Sequence, residues 1–350
     1  MNPPKERAPM PHPGPGTGPR PRVVVTESLN DAGVRRLRAA ADVVFLDKSL
    51  PEARQRATLL DAEVIVSQIH PVDSGLIAAA PRLRAIAKHG VGVDNIDVAA
   101  ATARGIPVLF APGANAASVA EHTLAAALAV ARRFGELDAA VRRRDFSVRQ
   151  DLHQLDLEGR TIAVLGYGNT GRRVLGLAHA ALGMRGIAYD RFPQQPEALP
   201  PGSRYTDSLE EALRGADVVT VHLPLTPQTR GLVGRDQLAL LPRGGIVVNV
   251  GRGGVVDEYA LADALRGGHL FGAAVDVFTT EPPLPDNPLL APDLRTLLTP
   301  HVGGLGGSAS VAIAHMLADD ILTVLQGGTP SHVVTPDYRS PAPPAVSPTG

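Results

Sequence analysis

The stretch TIAVLGYGNTG, residues 161–171, decides how this chain folds. A short apolar run ends in Gly166, Gly168 and Gly171, spaced G-x-G-x-x-G, and the RRVLGLAHAAL that follows has a helical period. The next apolar run, GIAYD (186–190), ends in Asp190, 19 residues after Gly171. Glycine spacing alone describes any tight strand-to-helix turn. Strand, glycines, helix and acidic residue together describe a dinucleotide-binding βαβ motif. Gly166 permits the tight turn, Gly168 lets backbone approach a pyrophosphate, and Gly171 lets helix and strand pack closely. The helix N-terminus offers aligned N–H donors to an anion. Asp190 is placed to accept from the ribose hydroxyls of NAD, whereas Arg191 beside it could meet the 2′-phosphate of NADP; the pattern favours NAD over NADP.

The same alternation extends in both directions. Downstream, DVVTVHLP (217–224), GIVVNVG (245–251), GAAVDVF (272–278) and RTLLTP (295–300) complete a set of six strands separated by helices. Upstream, RVVVTES (22–28), DVVFLD (42–47), EVIVSQI (63–69), LRAIAKHG (83–90) and PVLFAP (107–112) read as five more. The first helix there, LNDAGVRRLRAA (29–40), is capped near Asn30 or Asp31. Val/Ile-rich runs spaced by helices predict parallel sheets covered on both faces. The fold class is therefore α/β, with two doubly wound parallel-sheet domains. A long helix, NAASVAEHTLAAALAVARR (115–133), leads from one run of strands to the other. The helical SASVAIAHMLADDILTVLQGG (308–328) has no strand to follow, which predicts its return to the first domain.

Bulk composition narrows the function classes. Apolar residues make up 44% and charged residues 20%, enough for a globular core. A formal charge of −1 provides no field to attract nucleic acid or an anionic membrane, so neither is expected as a partner. No uninterrupted apolar run reaches the roughly 18 residues that cross a bilayer. The chain has no cysteine, which removes disulfides, thiol catalysis and Cys-ligated metal, and suits a cytoplasmic compartment. No metal site is expected. Segments 1–21 and 334–350 are rich in Pro and Gly without apolar period and are expected to be disordered tails. The first of them lacks the apolar core of a signal peptide.

Three polar side chains fall at the ends of predicted strands in the second set: Arg252 in VVNVGRGGVVDE, Glu281 in VDVFTTEPP and His301 in LLTPHVGG. Ligands of doubly wound sheets bind beyond the strands' carboxyl ends, so the three converge on the cofactor cleft. Hydride loss from a secondary alcohol requires loss of the hydroxyl proton, which a histidine can take. A neighbouring carboxylate orients that imidazole. A guanidinium holds a substrate carboxylate in a fork and polarises the reacting carbonyl. Read singly, each residue has a plainer use: a loop histidine, a helix-capping arginine, a glutamate that begins a turn. Pro300 before His301 and the glycines after it are expected to make the turn that aims the imidazole.

The motifs KHGVGVDNID (88–97), SVAEHTL (118–124), VLGYGNTG (164–171), HLPLTPQTRGLV (222–233), NVGRGGVVDEYAL (249–261), DVFTTEP (276–282) and TPHVGG (299–304) resemble those of the D-isomer-specific 2-hydroxyacid dehydrogenase family, the phosphoglycerate dehydrogenase-like group. The resemblance covers residues 22–333. It implies a Rossmann NAD-binding domain, 113–302, inserted into a flavodoxin-like substrate-binding domain made of 22–112 and 303–333. It implies Arg252 as substrate-binding and catalytic, Glu281 as partner, and His301 as acid/base. Asn169 and Thr170 would contact the pyrophosphate, and His222, Leu223, Pro224, Val250 and Gly303 would line the cofactor. Asp276 would meet the nicotinamide carboxamide. The backbone at Val91 and Gly92 would receive the substrate carboxylate. The implied activity is NAD-dependent hydride transfer to or from a small 2-hydroxy or 2-oxo acid, by a homodimer.

Departures from the family pattern carry information. Gly251 stands where the family has Ala or Ser, which is expected to loosen that turn. Glu281 in place of Gln speaks against formate, and Val91 in place of Lys against phosphite. Phosphoglycerate enzymes have basic residues near Ser67 and Lys88; here only Lys88 fits, which leaves room for a second anionic group. A rival from another class is an NAD(H)-sensing binding protein of corepressor type on the same fold, using the Pro-rich tails as docking segments. Aromatic residues are only 3% of the chain, and no aromatic-lined cleft supports that rival.

Overall fold

In the computed structural model, which describes residues 19–150, 152–191, 199–335 and 338, the apolar runs become two separate parallel sheets. They belong to two units. One comprises the chain up to Ala87, Asn95–Leu109 and Ala318 onward; the other comprises Lys88–Asp94 and Phe110–Leu317. The loop 88–94 and residues 110–112 and 303–317, expected in the smaller domain, thus cluster with the larger one.

The smaller unit alternates strand and helix: β1 (Arg22–Val25), α1 (Asp31–Arg38), β2 (Asp42–Phe45), α2 (Glu52–Leu60), β3 (Val64–Ser67), α3 (Ser74–Ala79), β4 (Ala85–Lys88), α4 (Val98–Ala103) and β5 (Val108–Leu109). Its strands order as β2-β1-β3-β4-β5, the flavodoxin-like arrangement the resemblance implied. Val23, Val24 and Val25 are all fully buried, as a strand covered on both faces requires. Asn30 is the α1 cap, its side chain accepting from the Ala32 N–H at 3.0 Å. At the edge, Leu109 bridges Val333 antiparallel, and Val108 exchanges hydrogen bonds with Val334 and the Thr335 hydroxyl. Pairing therefore runs into the expected C-terminal tail by two residues. The rest of both tails lies outside the described residues, apart from Pro19, Arg20, Pro21 and Tyr338.

The larger unit begins with α5 (Ala116–Ala131) and α6 (Phe134–Arg142). These are the long helix of the sequence reading plus a second one set off by Arg133 at φ +56°. There follow β6 (Thr161–Leu165), α7 (Asn169–Leu182), β7 (Arg185–Tyr189), β8 (Arg204–Thr206), α8 (Leu209–Arg214), β9 (Val218–Val221), α9 (Arg235–Leu238), β10 (Gly245–Asn249), α10 (Glu258–Arg266), β11 (Leu270–Val275) and β12 (Thr296–Leu298). The sheet orders as β12-β11-β10-β9-β6-β7-β8. Strand β8 is a seventh, beyond the six expected; three residues of RYT are too short to show a period. Each neighbouring pair in the sheet is parallel. The order reverses between β6 and β9, the switch point where doubly wound sheets bind ligands. Leu165, Val174, Leu175, Val219 and Val248 are fully buried around it, each contributing on the order of 1.5–3 kcal/mol.

The last helix, α11 (Gly307–Leu325), is by length and composition the one described helix apolar enough to cross a membrane. Its Ile313, Ala314, Leu317, Ala318 and Ile321 are buried in protein. Its Asp320, 3% exposed, accepts from the Ser331 N–H and pairs with His332 at 2.8 Å. Those are the marks of a core helix.

Candidate active site

At the switch point the glycine loop runs from β6 into α7. Gly166 takes φ +99°, a left-handed conformation that favours glycine. A Cβ on Gly171 would lie 2.1 Å from the Gly166 carbonyl oxygen, so this position admits no side chain if helix and strand are to pack. A Cβ on Gly168 would meet nothing within 4 Å. That open space leaves the backbone of the loop accessible to a ligand. A cavity of about 180 Å³ opens on that side, lined by Val91, Gly113, Asn115, Gly166, Gly168, Asn169, Thr170, Gly171 and His222. The α7 N-terminus has no side-chain cap, leaving its first N–H groups to the cavity. Both ring nitrogens of His222 are shielded and have no partner among the described residues, and burial pushes this imidazole down to about 3. It faces the cavity as a neutral ring. Asp190 directly follows β7 and its Oδ2 accepts from the Tyr167 N–H at 3.0 Å, which ties the acidic residue to the loop. An uncapped helix end, open space at Gly168 and an unpartnered imidazole fit a bound dinucleotide pyrophosphate.

Three loops beyond the ends of β10, β11 and β12 bring Arg252, Glu281 and His301 together. His301 Nδ1 meets Glu281 Oε2 at 2.8 Å. Glu281 Oε1 accepts from the Phe278 N–H at 3.1 Å, fixing the carboxylate from its own loop. Burial pushes the Glu281 carboxyl up. The His301 hydrogen bond, the Phe278 N–H and the charges of His301 and Arg252 outweigh it, so the group sits below its ordinary value and stays ionised. The Arg252 loop packs on the Glu281 loop through Gly253, where a Cβ would lie 1.9 Å from the Phe278 carbonyl oxygen. On its other side Arg252 meets the 88–94 turn: its Nε donates to Asp94 Oδ2 at 3.0 Å, and its Nη2 fills the space a Gly92 Cβ would take. Val91, from the same turn, lines the cavity at the glycine loop.

The turn that aims His301 differs from expectation. Gly303 and Gly304 have ordinary φ, and His301 itself takes φ +54°. Such a conformation costs a non-glycine residue on the order of 1–3 kcal/mol and persists only where its surroundings dictate it. Asp276 supplies those surroundings. It is 3% exposed; its carbonyl accepts the His301 N–H at 2.8 Å, and its carboxylate accepts the Val302 and Gly303 N–H groups at 2.9 and 2.8 Å and the Thr299 hydroxyl. The glycines serve close approach, Gly303 to Asp276 and His122, Gly304 to Asn115. Gly251 likewise abuts the Leu223 carbonyl, where a Cβ would come within 2.9 Å, so the turn there is tight and not loosened.

Sequence reading missed Asp94, Asn115 and His122. All three stand inside quoted or predicted segments, but only the fold shows Asp94 against Arg252, Asn115 in the cavity wall, and His122 within 3.7 Å of Asp276. Lys88 ends β4 with its Cε 3.7 Å from the Gly90 Cβ position. Leu223, Pro224 and Val250 lie at the ends of β9 and β10, where Pro224 is exposed and Val250 is buried. In the smaller unit the Ser67 hydroxyl is engaged by His70 and Asn95. A larger cleft there, about 740 Å³ beside Arg22, Arg82, Asp42 and Asp61, holds arginines already paired with carboxylates. No group of three or more ligating side chains suited to a metal occurs among the described residues.

Fold and site together define an α/β protein whose doubly wound sheet carries a dinucleotide loop beside an imidazole–carboxylate pair and an arginine. A family model described as the D-isomer specific 2-hydroxyacid dehydrogenase, NAD binding domain, matches residues 124–303. The chain is similar to glyoxylate reductase of Aeropyrum pernix, 37% identical over 324 residues that cover 89% of this chain and 95% of that protein. It is also 38% identical over 314 residues to D-3-phosphoglycerate dehydrogenase of Methanocaldococcus jannaschii, covering 89% of this chain. This chain spans 59% of the length of that dehydrogenase. The solved TT0316 protein of Thermus thermophilus, 37% identical, superposes with a TM-score of 0.80 over 89% of this chain and 99% of its own. The chain belongs to the D-isomer specific 2-hydroxyacid dehydrogenase family, and its larger unit is an NAD-binding domain.

Proposed function

We propose that the protein is an NAD-dependent oxidoreductase acting on a small D-2-hydroxy acid and its 2-oxo partner. The observation that carries this is the 2.8 Å His301–Glu281 pair held against the Arg252 loop in the unit that bears the glycine loop. A bound nicotinamide would supply the acceptor for the C2 hydride of the hydroxy acid, or the donor for its 2-oxo partner. Arg252 and the Val91 and Gly92 N–H groups hold the substrate carboxylate, and the guanidinium polarises the C2 oxygen. Glu281 occupies Nδ1 of His301, so Nε2 faces the substrate and takes the hydroxyl proton in oxidation or returns it in reduction. The ionised Glu281 stabilises the imidazolium that results.

NAD is the cofactor this reading favours, with Asp190 tied to the glycine loop by the Tyr167 N–H. A cytoplasmic setting belongs to this reading, with which a chain that has no cysteine is compatible. A homodimer is supported by Phe134, Val141 and Phe146, all more than half exposed on and just after α6. Light scattering at micromolar concentration checks it: a monomer mass rejects the dimer.

Consumption of NADH with a panel of 2-oxo acids, glyoxylate and hydroxypyruvate among them, tests the activity. His301→Ala lowers turnover by roughly 10²–10⁴-fold while NADH binding persists. Tight NADH binding with no turnover on any acid in the panel would overturn the enzyme reading in favour of an NAD(H)-sensing protein. Near-normal turnover in the folded variant would overturn the role of His301.

A further inference from the structure

Asp94 takes no part in the reaction just proposed, yet it makes the only ion pair that Arg252 has among the described residues. Two hydrogen bonds hold the guanidinium, and its third nitrogen lies over Gly92. Nε donates to Asp94 Oδ2 at 3.0 Å, Nη1 donates to the Gly251 carbonyl at 2.8 Å, and Nη2 lies 1.7 Å from where a Gly92 Cβ would stand. Arginine side chains have four soft torsions and lose up to about 2 kcal/mol of rotamer freedom when fixed. A guanidinium with Nε and Nη1 both committed has one orientation. That orientation leaves Nη2 at Gly92, on the turn whose N–H groups are assigned to the substrate carboxylate.

We infer that Asp94 is a positioning residue: it sets the plane in which Arg252 receives the carboxylate of the 2-oxo acid. The inference rests on the substrate role of Arg252 proposed above. The Asp94 side chain is 59% exposed and that of Arg252 29%, so solvent screens the charge attraction and the directed hydrogen bond is what orients the group. An uncharged acceptor of the same shape therefore serves nearly as well. Sequence position hides the pairing, because Asp94 and Arg252 are 158 residues apart.

The test compares the wild type with Asp94→Ala and Asp94→Asn, reading kcat and KM for the 2-oxo acid, NADH affinity, and Tm. A second arm measures oxamate, an unreactive 2-oxo acid analogue, binding to the protein–NADH complex. In Asp94→Ala, KM and the oxamate Kd rise about tenfold, well short of the 10²-fold cost of a full 1 Å displacement. NADH affinity and Tm stay at wild-type values, and Asp94→Asn restores KM and oxamate binding to within threefold. Unchanged KM and oxamate affinity in Asp94→Ala overturn the inference while the activity stands. So does an Asp94→Asn variant as impaired as Asp94→Ala, or a loss that comes with a fall in Tm or NADH affinity. A wild type that binds oxamate and NADH but turns over no 2-oxo acid refutes the activity alone, and the oxamate arm then decides Asp94 by itself.

Discussion

Replacing Gly253 by alanine separates the chemistry from cofactor binding. The added Cβ would sit 1.9 Å from the Phe278 carbonyl oxygen, 2.0 Å from its carbon and 2.5 Å from the Thr279 nitrogen. Carbon–oxygen contacts settle near 3.3 Å or more. The loop bearing Arg252 and the loop bearing Glu281 must therefore part by roughly 1.4 Å, since both colliding partners are backbone and neither can rotate away. Catalytic groups tolerate displacements of about 0.5 Å, and a 1 Å misplacement costs on the order of 10² in rate. Gly253→Ala thus lowers kcat/KM for the 2-oxo acid by about 10²-fold. Overpacking removes about 1–3 kcal/mol of stability, read as about 2–4 °C in Tm per kcal/mol for a unit of this size. The glycine loop at 166–171 touches none of these atoms, so NADH affinity by fluorescence titration changes little. A folded Gly253→Ala protein with kcat/KM within threefold of wild type refutes the claim that this contact sets the spacing of Arg252 and Glu281.

Two further predictions concern stability. Gly176 lies within α7 with nothing within 4 Å of its Cβ position, so Gly176→Ala raises stability by about 0.5–1 kcal/mol in urea denaturation; no gain would mean the site is not open. His222 is held neutral by burial, its value pushed down from 6.5 to about 3. The unfolded chain takes up this proton below pH 6.5 and the folded protein does not, so stability falls as pH drops from 6.5 toward 3. Between pH 7 and 5 the protein loses about 2 kcal/mol through this group. The His222→Gln variant has a correspondingly shallower slope, and equal slopes would show that the ring is solvated.

The residues between His301 and its partners illustrate how far sequence reading reaches. The pairing of His301 with Glu281, 20 residues apart, was foreseeable because both follow strands of one parallel sheet, whose carboxyl ends share an edge. The left-handed φ of His301 was not, because nothing in TPHVGG shows that Asp276, 25 positions earlier, accepts the backbone N–H groups of residues 301–303. Likewise the break between α5 and α6 falls at Arg133, a residue with no turn preference of its own, and no local signal marks it.

What the sequence determined by itself was the class of fold, the glycine loop and the types of the three polar groups. Those follow from local sterics, the two periods of side-chain placement and the covalent chemistry of Arg, Glu and His, all legible within a dozen residues. Only the tertiary structure decided which glycines are contacts and which are turns, that Asp94 holds Arg252, and that a neutral His222 faces the cofactor loop. Each of those depends on which strand ends become neighbours once β6 and β9 pair at the centre of the sheet, a long-range outcome of packing that no short window of sequence contains.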